Sequence, residues 1–290
     1  MKIKAIIAQL AAATFVLAAT AAHAATDAGV PALRITAPNG ESSVLIGSAH
    51  VPIKGLLQPD ASVFEGARRY VIEHLGVPQS GDQGSGKELG PWARSLTREE
   101  LATYLQRALC AGVAPEEAFA NLLRPSSQKA NQLAYTPCGW MAVLNRDSVL
   151  SNEKPAGIPL GFLEDDAVVE ATRQSVPSQL TDLSFRWALA HDPAEVLTGI
   201  GNALNQGDYE ALRGMVDASI GNPQNAQAFD RIMVDGRNAA WMPRLRRFLD
   251  EGHAVIVVGA MHLPGENGLI QKLSNDGYRV ERIALPSRAE

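Results

Sequence analysis

Ala254-Val-Ile-Val-Val-Gly-Ala-Met-His-Leu-Pro264 is the stretch on which the fold turns. Ala254 to Val258 is the strongest buried-strand signal in the chain. It is a short apolar run bounded by His253 and Gly259, as expected of a strand covered on both faces. The run ends in Gly-x-x-His, with Gly259 and His262. The same pattern occurs once more near the other end, as Val44-Leu-Ile-Gly-Ser-Ala-His-Val-Pro52. There Gly47 and His50 stand where Gly259 and His262 stand. The near-repeat predicts two strands that finish side by side, each delivering one histidine to a shared site.

Working outward, Ala32–Thr36 alternates as a strand, and Asn39-Gly40 is the best short hairpin signal, returning through Ser43–Ile46. Ala61-Ser-Val-Phe64 reads as a short apolar strand ending at Glu65. Arg68–Leu75 has helical spacing, and residues 78–91 read as a loop. Thr97-Arg-Glu-Glu100 is a capping box opening a helix, and Pro115–Leu123 is a second helix. Ile158–Leu163 reads as a short strand delivering Glu164. Helical periodicity follows over Asp166–Gln174, Pro177–Ala190, Pro193–Asn205 and, broken at Gly236, Ala226–Leu249. Leu269–Leu273 is helical and Tyr278–Ile283 alternates as a last strand. Strands alternating with helices predict an α/β fold, with a central, mostly parallel or mixed sheet, flanking helices and a helical insertion at about residues 92–150. In such sheets ligands bind beyond the carboxyl ends of strands.

The amino terminus reads as an export signal. Lys2 and Lys4 precede a small apolar run from Ala5 to Ala22, and Ala22-His23-Ala24 fits a cleavage site. The expectation is a cleaved peptide over residues 1–24, one domain over 25–290, no stable membrane insertion after cleavage, and a periplasmic or secreted location. Cys110 and Cys138 are the two cysteines, and after export an even pair is most simply one disulfide. The formal charge of −5 and the absence of long basic runs argue against nucleic-acid binding. Oligomeric state is not readable from the sequence.

The residues that could do chemistry form a set. His50 and His262 could bind a transition metal through neutral ring nitrogens or act as general bases. Two histidines alone make a poor metal site, so a carboxylate is needed. Glu65 is the first choice, as metal ligand or proton acceptor, and Glu164 the second. Arg237 and Asn238 could clamp a carboxylate or stabilise an oxyanion. The bland alternatives are a helix-terminal carboxylate at Glu65 and at Glu164, and a surface ion pair at Arg237. No H-E-x-x-H, G-x-S-x-G, P-loop or dinucleotide fingerprint is present.

These residues resemble the TraB/GumN family, which is similar to the Tiki metalloproteases. The resemblance rests on Gly47-Ser-Ala-His50, Phe64-Glu65, Gly161-Phe-Leu-Glu164, Arg237-Asn238 with Trp241, and Val258–Leu263 followed by Gly265-Glu-Asn-Gly268 and Gly277-Tyr278. It implies a core like those of erythromycin esterases and the haem-binding ChaN proteins. It also implies a divalent metal, manganese or cobalt, with zinc open on ligand chemistry, and a site of His50, His262 and Glu65 aided by Arg237 and Asn238. Relatives often carry a second acidic residue two positions after the glutamate, where this chain has Ala67. The function expected is a periplasmic metal-dependent hydrolase acting on a peptide or protein. The alternatives are a non-catalytic haem- or metal-binding protein and an envelope or exopolysaccharide accessory factor.

Overall fold

The computed structural model describes residues 29–76, 87–140 and 143–288. The export signal expected at residues 1–24, its cleavage site and most of the loop expected at 78–91 lie outside these residues.

The sheet has six strands: β1 (Val30–Thr36), β2 (Ser42–Ser48), β3 (Arg69–Ile72), β4 (Leu160–Phe162), β5 (Ala254–Gly259) and β6 (Arg279–Leu285). Their spatial order is β4-β3-β5-β2-β1-β6. Strands β4, β3, β5 and β2 are parallel, whereas β1 runs antiparallel to both β2 and β6. The expected α/β fold with a mixed, largely parallel sheet is therefore present. Asn39-Gly40 makes the predicted turn between β1 and β2, with Ala37 N–H bonded to Glu41 O.

Strand β5 is the axis of the sheet, and all its residues are buried. Ile256 and Val258 pack into one core layer with Leu33, Leu45, Val71, Trp241 and Phe248. Val255 and Val257 pack into the other with Ala32, Ile46, Phe64, Tyr70 and Leu150. Each such aliphatic side chain contributes roughly 1.5–3 kcal/mol when fully buried. A charged substitution anywhere along β5 would therefore strike one core layer or the other.

Twelve α-helices surround the sheet among the described residues. Between β3 and β4 lie α1 (Pro91–Arg94), α2 (Arg98–Cys110), α3 (Pro115–Leu122), α4 (Gln128–Ala134) and α5 (Arg146–Glu153). After β4 come α6 (Asp166–Ser175), α7 (Ser178–Ala190), α8 (Pro193–Gln206), α9 (Tyr209–Ala218), α10 (Pro223–Asp230) and α11 (Gly236–Glu251), and α12 (Leu269–Asn275) precedes β6. The predicted capping box at Thr97 is formed, with Thr97 accepting from Glu100 N–H and Glu100 accepting from Thr97 N–H. The insertion packs its own apolar cluster with α7, centred on Trp92, Tyr104, Ala130 and Phe185. Cys110 and Cys138 are joined in a disulfide that fastens the end of α2 to the segment before α5.

Two local expectations fail together. Ala61–Phe64 is a single 3-10 turn capped by Asp60, not a strand. Arg69–Ile72, expected as helix, is β3. The strand is only four residues long and its central Tyr70 and Val71 serve opposite core layers, so no alternation marks it. Nor does the helical pattern simply break at Gly236. Helix α10 continues through a π-turn at Arg231–Asp235 directly into α11. Such turns occur often at functional sites, and this one sets where Arg237 and Asn238 begin.

Candidate active site at the carboxyl end of the parallel strands

The four parallel strands each release a polar side chain at the same edge of the sheet. Strand β2 ends at Ser48 and leads to His50. Strand β3 ends at Ile72 and leads to Glu73. Strand β4 leads to Glu164, and β5 leads through a 3-10 turn to His262. Ser48 pairs with Gly259 in the β2–β5 ladder, so the two Gly-x-x-His turns leave the sheet side by side, as the repeat predicts.

The turns differ in detail. His50 has a left-handed backbone, φ 58°, which a non-glycine residue adopts only where its surroundings impose it. Asn145 donates to His50 O at 3.1 Å, and His50 N–H donates to Ser48 Oγ at 3.2 Å. The ring is then fixed through Nδ1, 3.0 Å from Asp147 Oδ1, which leaves Nε2 facing Glu73 Oε1 at 3.2 Å. Asp147 also accepts from Ser48 Oγ at 2.5 Å. It is delivered by the first turn of α5, which Arg146 anchors by donating to Gly47 O at 2.5 Å and Leu57 O at 2.7 Å. Burial pulls the His50 pKa down, but Glu73 and Asp147 outweigh it and raise it to about 10. The two carboxylates thus favour the protonated ring, although solvent reaching 46% of its side chain screens them.

His262 is the opposite case. It is 4% exposed, and its ring lies against Trp241 with centroids 4.2 Å apart. Nδ1 donates to Asn238 Oδ1 at 2.7 Å, and Nε2 accepts from Arg237 at 3.2 Å. Both contacts require the neutral tautomer with a bare Nε2. Burial lowers its pKa to about 3, with Glu73 opposing and Arg237 reinforcing the fall.

Glu73 joins the two. Its Oε1 accepts from Gly259 N–H at 2.6 Å and lies 3.2 Å from His50 Nε2 and 3.8 Å from His262 Nε2. Its Oε2 accepts from Arg237 at 2.7 Å. Burial alone would raise its pKa, but His50, His262 and Arg237 hold it well below the usual carboxylate range.

Arg237, 8% exposed, stacks on Trp241 with 4.8 Å from its guanidinium carbon to the ring centroid. Its Nε donates to Glu164 at 3.0 and 3.2 Å. One terminal nitrogen donates to Met233 O and His262 Nε2, each at 3.2 Å. The other donates to Glu73 and Glu164. All five of its N–H groups are engaged. Asn238 likewise gives both amide protons to backbone, at His262 O and Asn267 O.

The structure thus brings together His50, His262, Glu164, Arg237 and Asn238, and leaves out Glu65. Glu65 caps the 3-10 turn before β3 and lies with Ser42, Ser43, His253 and Ala254, at the amino ends of β2 and β5. That is the far end of the sheet, about 17 Å away at 3.3–3.4 Å per residue along β5. The glutamate that follows the neighbouring strand is Glu73, because the strand is Arg69–Ile72. Ala67, noted for the acidic residue expected near the glutamate, goes with Glu65 to that far end. Glu164 arrives at the site as the partner of Arg237. Arg237 and Asn238 hold charges and ring tautomers, and neither has a proton to spare for an oxyanion.

Sequence reasoning misses Glu73, whose short strand shows no alternation, and Asp147. The available signal was Asn145, a helix N-cap whose side chain accepts from Ser148 N–H, with an aspartate in the following turn. Nothing in that pattern points to a histidine far upstream.

The donor chemistry fits a divalent ion. Each imidazole is tied through Nδ1, as outer-shell groups commonly tie metal ligands, and both Nε2 atoms face one carboxylate oxygen. Among the described residues, however, no three His, Cys, Asp or Glu groups already stand around a metal position. The donors bond to one another and to Arg237 instead.

Two strand-end histidines, two buried glutamates and a buried arginine, at the carboxyl edge of a mixed α/β sheet, define the class: an α/β protein with a polar centre at its topological edge. Residues 32–282 match the TraB/PrgY/gumN family, and the chain belongs to it. No curated protein and no solved structure matches the chain.

Proposed function

We propose that this TraB/PrgY/gumN protein is an exported, metal-dependent hydrolase acting on a peptide or protein. The observation that carries the reading is the convergence of His50 Nε2 and His262 Nε2 on Glu73 Oε1. His50, His262 and Glu73 would hold the ion, manganese, cobalt or zinc. A divalent ion so held would supply Lewis-acid polarisation of a carbonyl. Asp147 orients His50, Asn238 sets the tautomer of His262, and Arg237 balances Glu73 and Glu164. Export is supported by the amino-terminal sequence pattern and by the disulfide between Cys110 and Cys138.

The test is metal analysis and peptidase assay on protein purified without chelator. Wild type and Glu65→Ala are expected to carry metal and activity, and His262→Ala and Glu73→Gln to lose both while remaining folded. Full metal content and turnover in Glu73→Gln would overturn the assignment. The engagement of every Arg237 and Asn238 proton favours a second reading, a protein that holds the ion without turnover. Metal content that depends on Glu73, without cleavage of any peptide in a mixed library, would decide for it.

A further inference from the structure

The guanidinium of Arg237 stands between two of the three groups assigned to the ion. One terminal nitrogen, Nη1, donates to His262 Nε2 at 3.2 Å, and the other, Nη2, donates to Glu73 Oε2 at 2.7 Å. A neutral imidazole has one lone pair free to accept. Nδ1 of His262 is committed as donor to Asn238 Oδ1 at 2.7 Å, so that lone pair is on Nε2, and Arg237 takes it. An ion held by His262 needs the same lone pair. Arg237 and the ion therefore compete for one ring nitrogen.

The other side of the guanidinium is anchored. Nε donates to both oxygens of Glu164, at 3.0 and 3.2 Å, and Nη2 donates to Glu164 as well. Nη1 also donates at 3.2 Å to Met233 O, a carbonyl of the π-turn. Arg237 and Glu164 are both buried, and the Trp241 ring lies against the guanidinium. An Arg237 pushed off His262 has no path to solvent, but it has Glu164 and Met233 O to retreat to. The bonds also differ in strength. A hydrogen bond between ionised partners is roughly twice as strong as one between neutral partners, so the grip on the Glu164 carboxylate outlasts the grip on the uncharged His262 ring.

We propose that Arg237 is a displaceable internal cation that controls loading of the site. It holds the ligand atoms of His262 and Glu73, and it withdraws onto Glu164 when a divalent ion takes them. The proposal rests on the metal reading of the site and adds its regulation. Formal charge favours withdrawal over expulsion, because the carboxylates of Glu73, Glu164 and Asp147 are balanced by a divalent ion and one guanidinium together. Withdrawal also frees the N–H groups that His262 and Glu73 accept from, and these then face the site, where a substrate carbonyl would accept them. Glu164 is on this account a positioning residue, acting through Arg237 and not as a ligand.

The experiment is calorimetric titration of chelator-stripped protein with zinc chloride. Glu164→Gln removes the carboxylate onto which Arg237 withdraws and is expected to weaken zinc binding by about tenfold or more, as the loss of an outer-shell partner does. Arg237→Gln removes the competitor and should bind zinc no more weakly than wild type. In that background Glu164→Gln should matter much less. Independent side chains would give effects that multiply to within about twofold, whereas the departure expected here is about fivefold or more. Should Arg237→Gln fail to fold, wild type decides, by nitrogen-15 NMR with labelled arginine and histidine. Zinc should move the His262 Nε2 resonance and the terminal Arg237 N–H signals while the Arg237 Nε–H signal stays in place on Glu164. Weaker zinc binding by Arg237→Gln, multiplicative losses, or a zinc-shifted His262 with unchanged terminal Arg237 signals would overturn the proposal and leave the metal site standing. Zinc that binds neither wild type nor Arg237→Gln would remove the metal reading and this proposal with it.

Discussion

At the scale of the residue, the two histidines of one repeated motif are held in opposite charge states. His50 has a carboxylate on each side and keeps a proton, while His262 has an amide oxygen and a guanidinium and cannot. The linkage signs follow for the metal-free protein. His262 falls from 6.5 to about 3 on folding, so its unfolded form binds protons first and stability drops as pH falls from 6.5 towards 3. Glu73 is also lowered on folding, and the stability it adds above 4.5 is lost as pH falls further. His50 is raised to about 10, so its contribution is present below 6.5 and fades as pH rises through 10. Urea midpoints measured from pH 3 to 8 should rise steeply with pH on the acid side. In His262→Gln the slope between pH 6.5 and 4.5 should flatten. An unchanged slope would mean that the ring is not buried in its neutral form.

The same scale explains what was legible in the site. Both histidines and Glu164 are readable because each follows a strand signal, and Asn238, with Arg237 beside it, because asparagine is a weak helix former. Glu73 is not readable because Arg69–Ile72 falls inside a stretch with helical spacing, whereas Ala61–Phe64 looks like an apolar strand and points to Glu65. A four-residue strand that opens on Arg69 and is followed by Glu73 carries too little pattern to show as a strand. Glu65 is exposed, and Glu65→Ala is expected to change the urea midpoint by an amount equivalent to no more than about 0.5 kcal/mol. Glu73→Ala strips a buried arginine of one partner and should cost about 3–5 kcal/mol.

At the scale of the element, the two glycines of the repeat serve different ends. A Cβ on Gly47 would meet Leu263, Tyr209 and Ala260 at 3.1–3.2 Å, so Gly47 lets β2 pack against the turn after β5. A Cβ on Gly259 would lie 2.9 Å from His50 Nε2 and 3.2 Å from Glu73 Oε1, inside the site itself. Gly259 has φ −55°, which alanine tolerates. Gly259→Ala should therefore fold, yet push the His50 ring from Glu73 and lose metal content. Gly47→Ala should lower stability first. Thermal melts with metal analysis of both variants would separate the two, and equal metal loss at equal stability would refute the distinction. The helical insertion shows the limits of periodicity. Helix α2 is legible from its capping box, whereas α5, eight residues with only Val149 and Leu150 as apolar positions, is not. The disulfide closes 28 residues of this insertion, which in the chain-entropy model corresponds to about 3–4 kcal/mol. Cys110→Ser with Cys138→Ser should speed amide exchange in α2 and α4 more than in β5.

At the scale of the molecule, the site draws on all four parallel strands and on two helices far apart in the chain, α5 and α11. Such a site is assembled only when the sheet, the insertion and the carboxyl-terminal helices are all in place, so occupancy should read out as global stability. A ligand that binds only the folded chain at about a hundredfold above its Kd adds roughly 2.7 kcal/mol. For a domain of this size that corresponds to roughly 5–10 °C in Tm. Manganese, cobalt or zinc added to chelator-stripped protein should raise Tm by this amount, and chelator should reverse it. The gain should persist in Glu65→Ala, whose carboxylate sits at the other end of the sheet, and vanish in Glu73→Gln and His262→Ala. It should grow between pH 6 and 9, because His50 must release its proton before it can ligate, and metal binding then competes with that proton. A Tm that no divalent ion moves at any pH in this range would remove the metal from the site. It would leave His50, Glu73 and Arg237 as a buried charge network.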